Sequence, residues 1–152
     1  MRTLARPRHR MEIQQRLSQV RPDSIRRWGG MTAHQMICHL ADSFRMVMGQ
    51  RRVSTDQTLL SRTMIKWFAL YGPLHWPHGF HTRPEIDQLV GGTKPVDFTT
   101  DVENLVALMA HFTERTATLE GKSHPVFGPL TEIEWLRWSY LHMDHHLRQF
   151  GA

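Results

Sequence analysis

Hydrophobic positions along this chain recur at helical intervals and rarely alternate. Ile13, Leu17 and Val20 fall three and four residues apart, which predicts a helix over 6–20. Pro22 and the pair Gly29–Gly30 then interrupt the pattern. Met36, Leu40, Phe44 and Val47 form a second stripe, predicting a helix over 33–49. Thr32 and Gln35 make a capping box at its start: the hydroxyl accepts an N–H of the first turn and the glutamine reaches back. Residues 57–71 read as a third helix. The stretch 72–95, "GPLHWPHGFHTRPEIDQLVGGTKP", has no period and is rich in Pro and Gly, so it is expected to be a long loop. The period resumes at Asp97, with Val102, Leu105, Val106, Met109 and Phe112 marking a helix to about 119. Residues 121–130 form a second loop, and Thr131 with Glu134 caps a last helix over 131–148. Nothing alternates cleanly for five residues, so no strand is expected. Five helices with two long loops predict an all-α bundle, in which sites are built from side chains on facing helices.

Length adds that 152 residues suffice for one domain, 1–152, and are too few for two of ordinary size. An apolar fraction of 40% with 22% charged residues is a globular composition rather than a disordered one. No apolar run approaches the ~20 residues of a membrane helix. The arginine-containing start has no apolar stretch after it, so no secretory signal is expected. The single cysteine, Cys38, excludes an internal disulfide and suits a reducing cytoplasm. The net charge of +5 would fit a nucleic-acid partner only if it were concentrated; apart from Arg2, Arg6, Arg8 and Arg10 and the pairs Arg26–Arg27 and Arg51–Arg52 the basic residues are scattered, so no nucleic-acid partner is expected.

The candidate chemistry lies in histidines. "LHMDHHLRQF" (141–150) holds three of them in five positions. On a helical wheel centred on Leu136, Met143, Leu147 and Phe150, His146 falls roughly 50° from the core direction, His142 roughly 90° and His145 roughly 150°. His142 and His146 therefore share one edge of the buried face, one turn apart, the spacing at which two imidazoles can converge on one ion. In the helix over 33–49, His39 sits at the boundary of the apolar face, and His34 lies nearer the solvent side.

"MTAHQMICHL" and "HMDHHLRQFG" resemble the DinB/YfiT-like superfamily of bacterial four-helix-bundle metalloenzymes, over a span from about Trp28 to Gly151. The closing "HPVFGPLTEIEWLRWSYLHMDHHLRQFG" is similar to one uncharacterised branch of it. The resemblance implies a four-helix bundle with an extra N-terminal helix. It also implies a divalent metal on three histidines, one from the second helix and two spaced by four from the last. These positions are His39, His142 and His146, with His145 left out. Better-known relatives in the superfamily are thiol S-transferases and a mycothiol-dependent isomerase, and a homodimer is expected.

Together these readings predict a metal-dependent enzyme. Zinc or nickel suits imidazole donors and keeps a position open to activate water or a low-molecular-weight thiol against a small-molecule substrate. The alternative is a non-catalytic bundle that holds a metal or ligand. Asp42, one turn from His39, is expected to orient that ring. Gln149 is expected to hydrogen-bond a nucleophile or substrate. The loop 72–95 and the segment 124–128 are expected to rim the pocket. His34 and His145 should face solvent, Cys38 should be structural and on the polar side of its helix, and His75, His78 and His81 should belong to a polar loop.

Overall fold

A computed structural model describes residues 1–79 and 82–152. The described chain is mostly helical: α1 (Pro7–Leu17), α2 (Ala33–Val47), α3 (Lys66–Tyr71), α4 (Phe98–Glu114) and α5 (Glu132–Gln149). A π-helical turn, Ser61–Ile65, leads into α3, and short 3-10 turns cover Pro84–Ile86 and Thr116–Leu119. One pair of two-residue strands, β1 (Ser123–His124) and β2 (Gly128–Pro129), closes the second loop antiparallel, with Ser123 opposite Pro129. Two-residue strands are too short to alternate, which is why the pattern gave no sign of them.

The helix starts follow their side chains. Thr32 accepts from Gln35 N–H while Gln35 reaches back to the Thr32 N–H, and Thr131 and Glu134 repeat the arrangement. Asp97 caps α4 through Thr100 N–H. The first helix stops three residues short of its expected end, because the Val20 N–H turns back onto the Leu17 carbonyl.

Helix α2 is the centre of the fold. Eleven of its fifteen residues are buried, since it is covered by α4 on one side and α5 on another. Met36, Ile37 and Leu40 are fully buried there beside Leu105, Met109 and Phe112 of α4. Burying a side chain of this size stabilises by ~1.5–3 kcal/mol, so these six side chains supply the main cohesion between the two helices. Helix α1 lies along α5, pinned by Arg16 on Asp144 at 2.6 Å and by Leu4 N–H on the Leu136 carbonyl. No helix among the described residues is long and apolar enough to cross a membrane.

Candidate metal centre

With α2 and α5 side by side, His39, His142 and His146 form a triangle whose ring centroids lie 4.7 to 5.0 Å apart. One nitrogen from each ring falls within 4.8 Å of the other two. The tightest pair is His39 Nε2 and His142 Nε2, at 3.1 Å. Two ~2.0 Å bonds meeting at a tetrahedral ion hold their nitrogens roughly 3.3 Å apart, so this pair already has a ligand spacing.

Hydrogen bonds decide which nitrogens are free. His39 Nδ1 lies 2.7 Å from the Ile86 carbonyl, which only accepts, so the proton sits on Nδ1 and Nε2 presents a lone pair. His146 Nδ1 lies 2.9 Å from Gln149 Oε1. The Gln149 amide nitrogen donates to the Trp28 carbonyl at 2.8 Å, which fixes Oε1 as the acceptor and again leaves Nε2 bare. His142 completes the set differently. Its Nε2 must donate to the His39 lone pair, and Nδ1 has no hydrogen-bond partner among the described residues. It is also the one ring of the three that is only partly buried. His142 is thus the ring that must move its proton, from Nε2 to Nδ1, to present a third lone pair.

Charge follows the same logic. Burial drives the pKa of His39 down, and it drives those of His142 and His146 well below the usual imidazole value, with neighbouring rings adding to the effect on the latter two. All three rings are neutral at pH 7, the protonation state that ligation requires. Among the described residues no carboxylate or thiol joins the three nitrogens. Three neutral imidazoles suit a borderline divalent ion such as zinc or nickel and leave coordination positions open.

Two expected helpers act elsewhere. Asp42 is fully buried, but its oxygens accept from Arg45, Arg51, Gln88 and Thr93 rather than from His39. It ties the segment 88–93 to α2, and the neighbouring 3-10 turn delivers the Ile86 carbonyl to His39. Gln149 does not await a substrate; both ends of its amide are committed, and it orients His146. Gly29 makes this possible with φ +78°, since a Cβ there would lie 2.6 Å from the Gln149 amide nitrogen.

The wheel also misplaces His145. Its ring is half-buried in a cleft with Trp28, Trp76 and His78, and burial, followed by His78 and Arg148, lowers its pKa to about 4. The loop that carries Trp76 and His78 folds over what would otherwise be the solvent side of α5. His78 stacks on Trp28 at 3.8 Å, His75 lines the same cleft, and His81 lies outside the described residues. The cleft adjoins the triad, because Trp76 faces both His142 and His145 at about 6 Å. Its internal volume of ≈ 50 Å³ admits only a small group without movement.

Of the expected rim, Leu74, His75, Trp76 and His78 line this cleft and 124–128 do not. His124 is buried behind Trp138, its Nδ1 accepting from the N–H groups of Val126 and Phe127, and burial pushes its pKa to about 3. Trp138 in turn stacks on His142 at 4.8 Å and walls off one side of the triad. His34 is hydrogen-bonded to Asp101 at 2.7 Å, and Cys38 is buried, pointing at the same carboxylate rather than at solvent. The Ile86 carbonyl, Trp28, Trp76 and Trp138 are the contributors that the sequence reading missed. A backbone carbonyl and the distant Trp28 carry no local signal, whereas Trp76, between His75 and His78, and Trp138, one turn before His142, did offer one.

A family model described as a protein of unknown function, DUF1569, matches residues 10–152. Searches of curated proteins and of solved structures give no match.

Proposed function

The chain belongs to the DUF1569 family, and we propose that it is a divalent-metal-dependent enzyme of the DinB/YfiT-like four-helix-bundle kind, with His39, His142 and His146 as its ligands. The observation that carries this reading is the outward bracing of two ligands. His39 and His146 each spend Nδ1–H on an acceptor outside the cluster and turn a lone pair inward. A zinc or nickel ion there would supply a Lewis acid able to make water or a small thiol nucleophilic at neutral pH.

The residues of the chain do the rest. The Ile86 carbonyl and Gln149 hold two rings in register, and Trp138 excludes water from one face of His142. His142 shifts its proton from Nε2 to Nδ1 as it turns a lone pair inward, so the ring stays neutral, and its partial exposure lets solvent carry the proton between the two nitrogens. The cleft of Trp28, Trp76, His78 and His145 holds the small-molecule substrate beside this ring.

A second reading, a non-catalytic metal- or ligand-binding bundle, is favoured by the commitment of Asp42 and Gln149 to structural hydrogen bonds, which leaves neither free to act on a nucleophile or substrate. Metal analysis of the purified chain, followed by a thiol-transfer and hydrolysis screen, separates the two. The enzyme reading expects about one ion per chain, turnover that a chelator abolishes and divalent metal restores, and its loss in His142→Ala with the helical content intact. Bound metal with no turnover across the screen would leave the binding reading. A chain that takes up no zinc or nickel would end both metal readings.

A further inference from the structure

The segment approaching and including α3 shows water what most helices hide. Leu59, Leu60, Met64, Trp67, Phe68 and Tyr71 are between 42 % and 81 % exposed. Residues 60, 64, 67, 68 and 71 repeat at the intervals of a helical face, so these side chains are neighbours in one patch. The opposite face is the one that faces the body: Leu70 is fully buried, and the Ser61 hydroxyl donates to the Val126 carbonyl at 2.8 Å. An aromatic side chain carries roughly 150–250 Å², which puts the exposed face on the order of 800 Å². That exceeds the ~300–600 Å² of the largest apolar patch on a typical monomer and matches the ~800 Å² per partner of a stable protein interface.

Charge narrows the occupant. Residues 57–82 contain no Asp or Glu, so no basic partner is called for. Most nearby cations are turned back onto the body: Lys66 pairs with Glu134 at 3.2 Å and Arg137 donates to the carbonyls of Leu70 and Arg2, while Arg62 lies along Gly128 and stays exposed at the edge. One exposed cation is too sparse a fringe for an anionic lipid surface or an acidic partner. A large, uncharged helical face is complementary to itself, since its two-fold mate opposes it without like charges meeting.

We propose that two copies of this chain pair through this face, α3 and its preceding π-helical turn packing against their symmetry mates. Leu74, 84 % exposed, stands just beyond the end of the face and also lines the cleft beside His145, so the partner copy stands at the mouth of that cleft. The proposal is independent of any metal.

Sedimentation velocity of the full chain across micromolar concentrations tests it. The expected species has twice the 17.8 kDa chain mass. Trp67→Glu/Phe68→Glu should raise the dimer dissociation constant on the order of 100-fold or more, with circular dichroism and melting unchanged, while Val96→Glu, at a still more exposed apolar residue elsewhere, leaves the dimer intact. As a check that does not depend on charged variants, Met64→Cys combined with Cys38→Ser should form a disulfide-linked dimer on mild oxidation. A wild-type monomer throughout the range, a dimer indifferent to Trp67→Glu/Phe68→Glu, a dimer disrupted equally by Val96→Glu, or a monomer that co-sediments with phosphatidylglycerol vesicles would each overturn it.

Discussion

Helix α2 borders two polar clusters that a count of donor atoms cannot tell apart. His34, Cys38 and Asp101 meet between α2 and α4; His39, His142 and His146 meet between α2 and α5. Each brings three ligand-type atoms within 4.8 Å of one another. In the first, one carboxylate oxygen, Asp101 Oδ2, accepts from His34 at 2.7 Å, from the Val96 N–H at 3.2 Å and from the Cys38 thiol at 3.7 Å. The donors and the acceptor satisfy each other. Burial and then the Asp101 charge push the Cys38 thiol up to about 12, so it is not a thiolate at neutral pH. In the second cluster the acceptors, the Ile86 carbonyl and Gln149, lie outside, and the lone pairs left over face inward. Proximity makes a cluster; the direction in which its hydrogen bonds are spent makes it a ligand set or a structural pin.

The sharpest way to break this contrast is to delete one member from each side. His146→Ala should weaken zinc binding by more than the ~10–100-fold that loss of an outer hydrogen-bond partner costs, as read by competition with a chromogenic chelator. His34→Ala and Cys38→Ser should keep full stoichiometry. Equal loss in Cys38→Ser would mean that the contrast is wrong.

A smaller effect separates support from pinning. Gln149→Leu removes the acceptor at His146 and should lower zinc affinity ~10–100-fold while the fold persists. Asp101→Asn should do the reverse, leaving affinity within twofold or so but costing ~1–3 kcal/mol in urea unfolding as the three groups that point at Oδ2 lose their charged acceptor. If Gln149→Leu left zinc affinity untouched, outward bracing would have no bearing on ligation.

The smallest difference concerns acid. The triad rings have folded pKa values below the unfolded value near ~6.5, so their contribution to stability is present above that pH and is lost as pH falls toward the folded values. Burial pushes the Asp101 carboxyl up, but the Val96 N–H and His34 pull it down further, and its net lowered pKa keeps its contribution intact until pH falls below ~3.9. Between pH 6 and 5, urea unfolding of the metal-free chain should therefore lose stability through the triad and not through Asp101. His142→Gln should flatten that dependence by roughly 1.4 kcal/mol per pH unit, and Asp101→Asn should leave its slope unchanged.

Much of this was legible in the sequence, for identifiable reasons. The helices α2, α4 and α5 carried long apolar periods and side-chain caps, and those are local signals. The wheel that placed His39, His142 and His146 on inner edges used only the burial direction of each helix. It failed at His145, because what covers that side of α5 is a distant loop rather than a helix. It also failed at Cys38, whose polar side faces Asp101 of α4 instead of water. Asp42 was read as a partner of its neighbour one turn away, yet it serves residues up to fifty-one positions along the chain. Long-range polar partners leave no period to read.

The carbonyl that orients His39 belongs to Ile86, 47 residues from it, on a turn moored by the buried Asp42. This separates two requirements. Packing α2 beside α5 brings the imidazoles together, but it does not choose the ring nitrogen of His39 that carries the proton. The Ile86 carbonyl makes that choice and leaves the inner nitrogen with a lone pair. Proximity of the three rings and the tautomer of His39 therefore rest on different contacts, and the second depends on a loop that contributes no ring of its own.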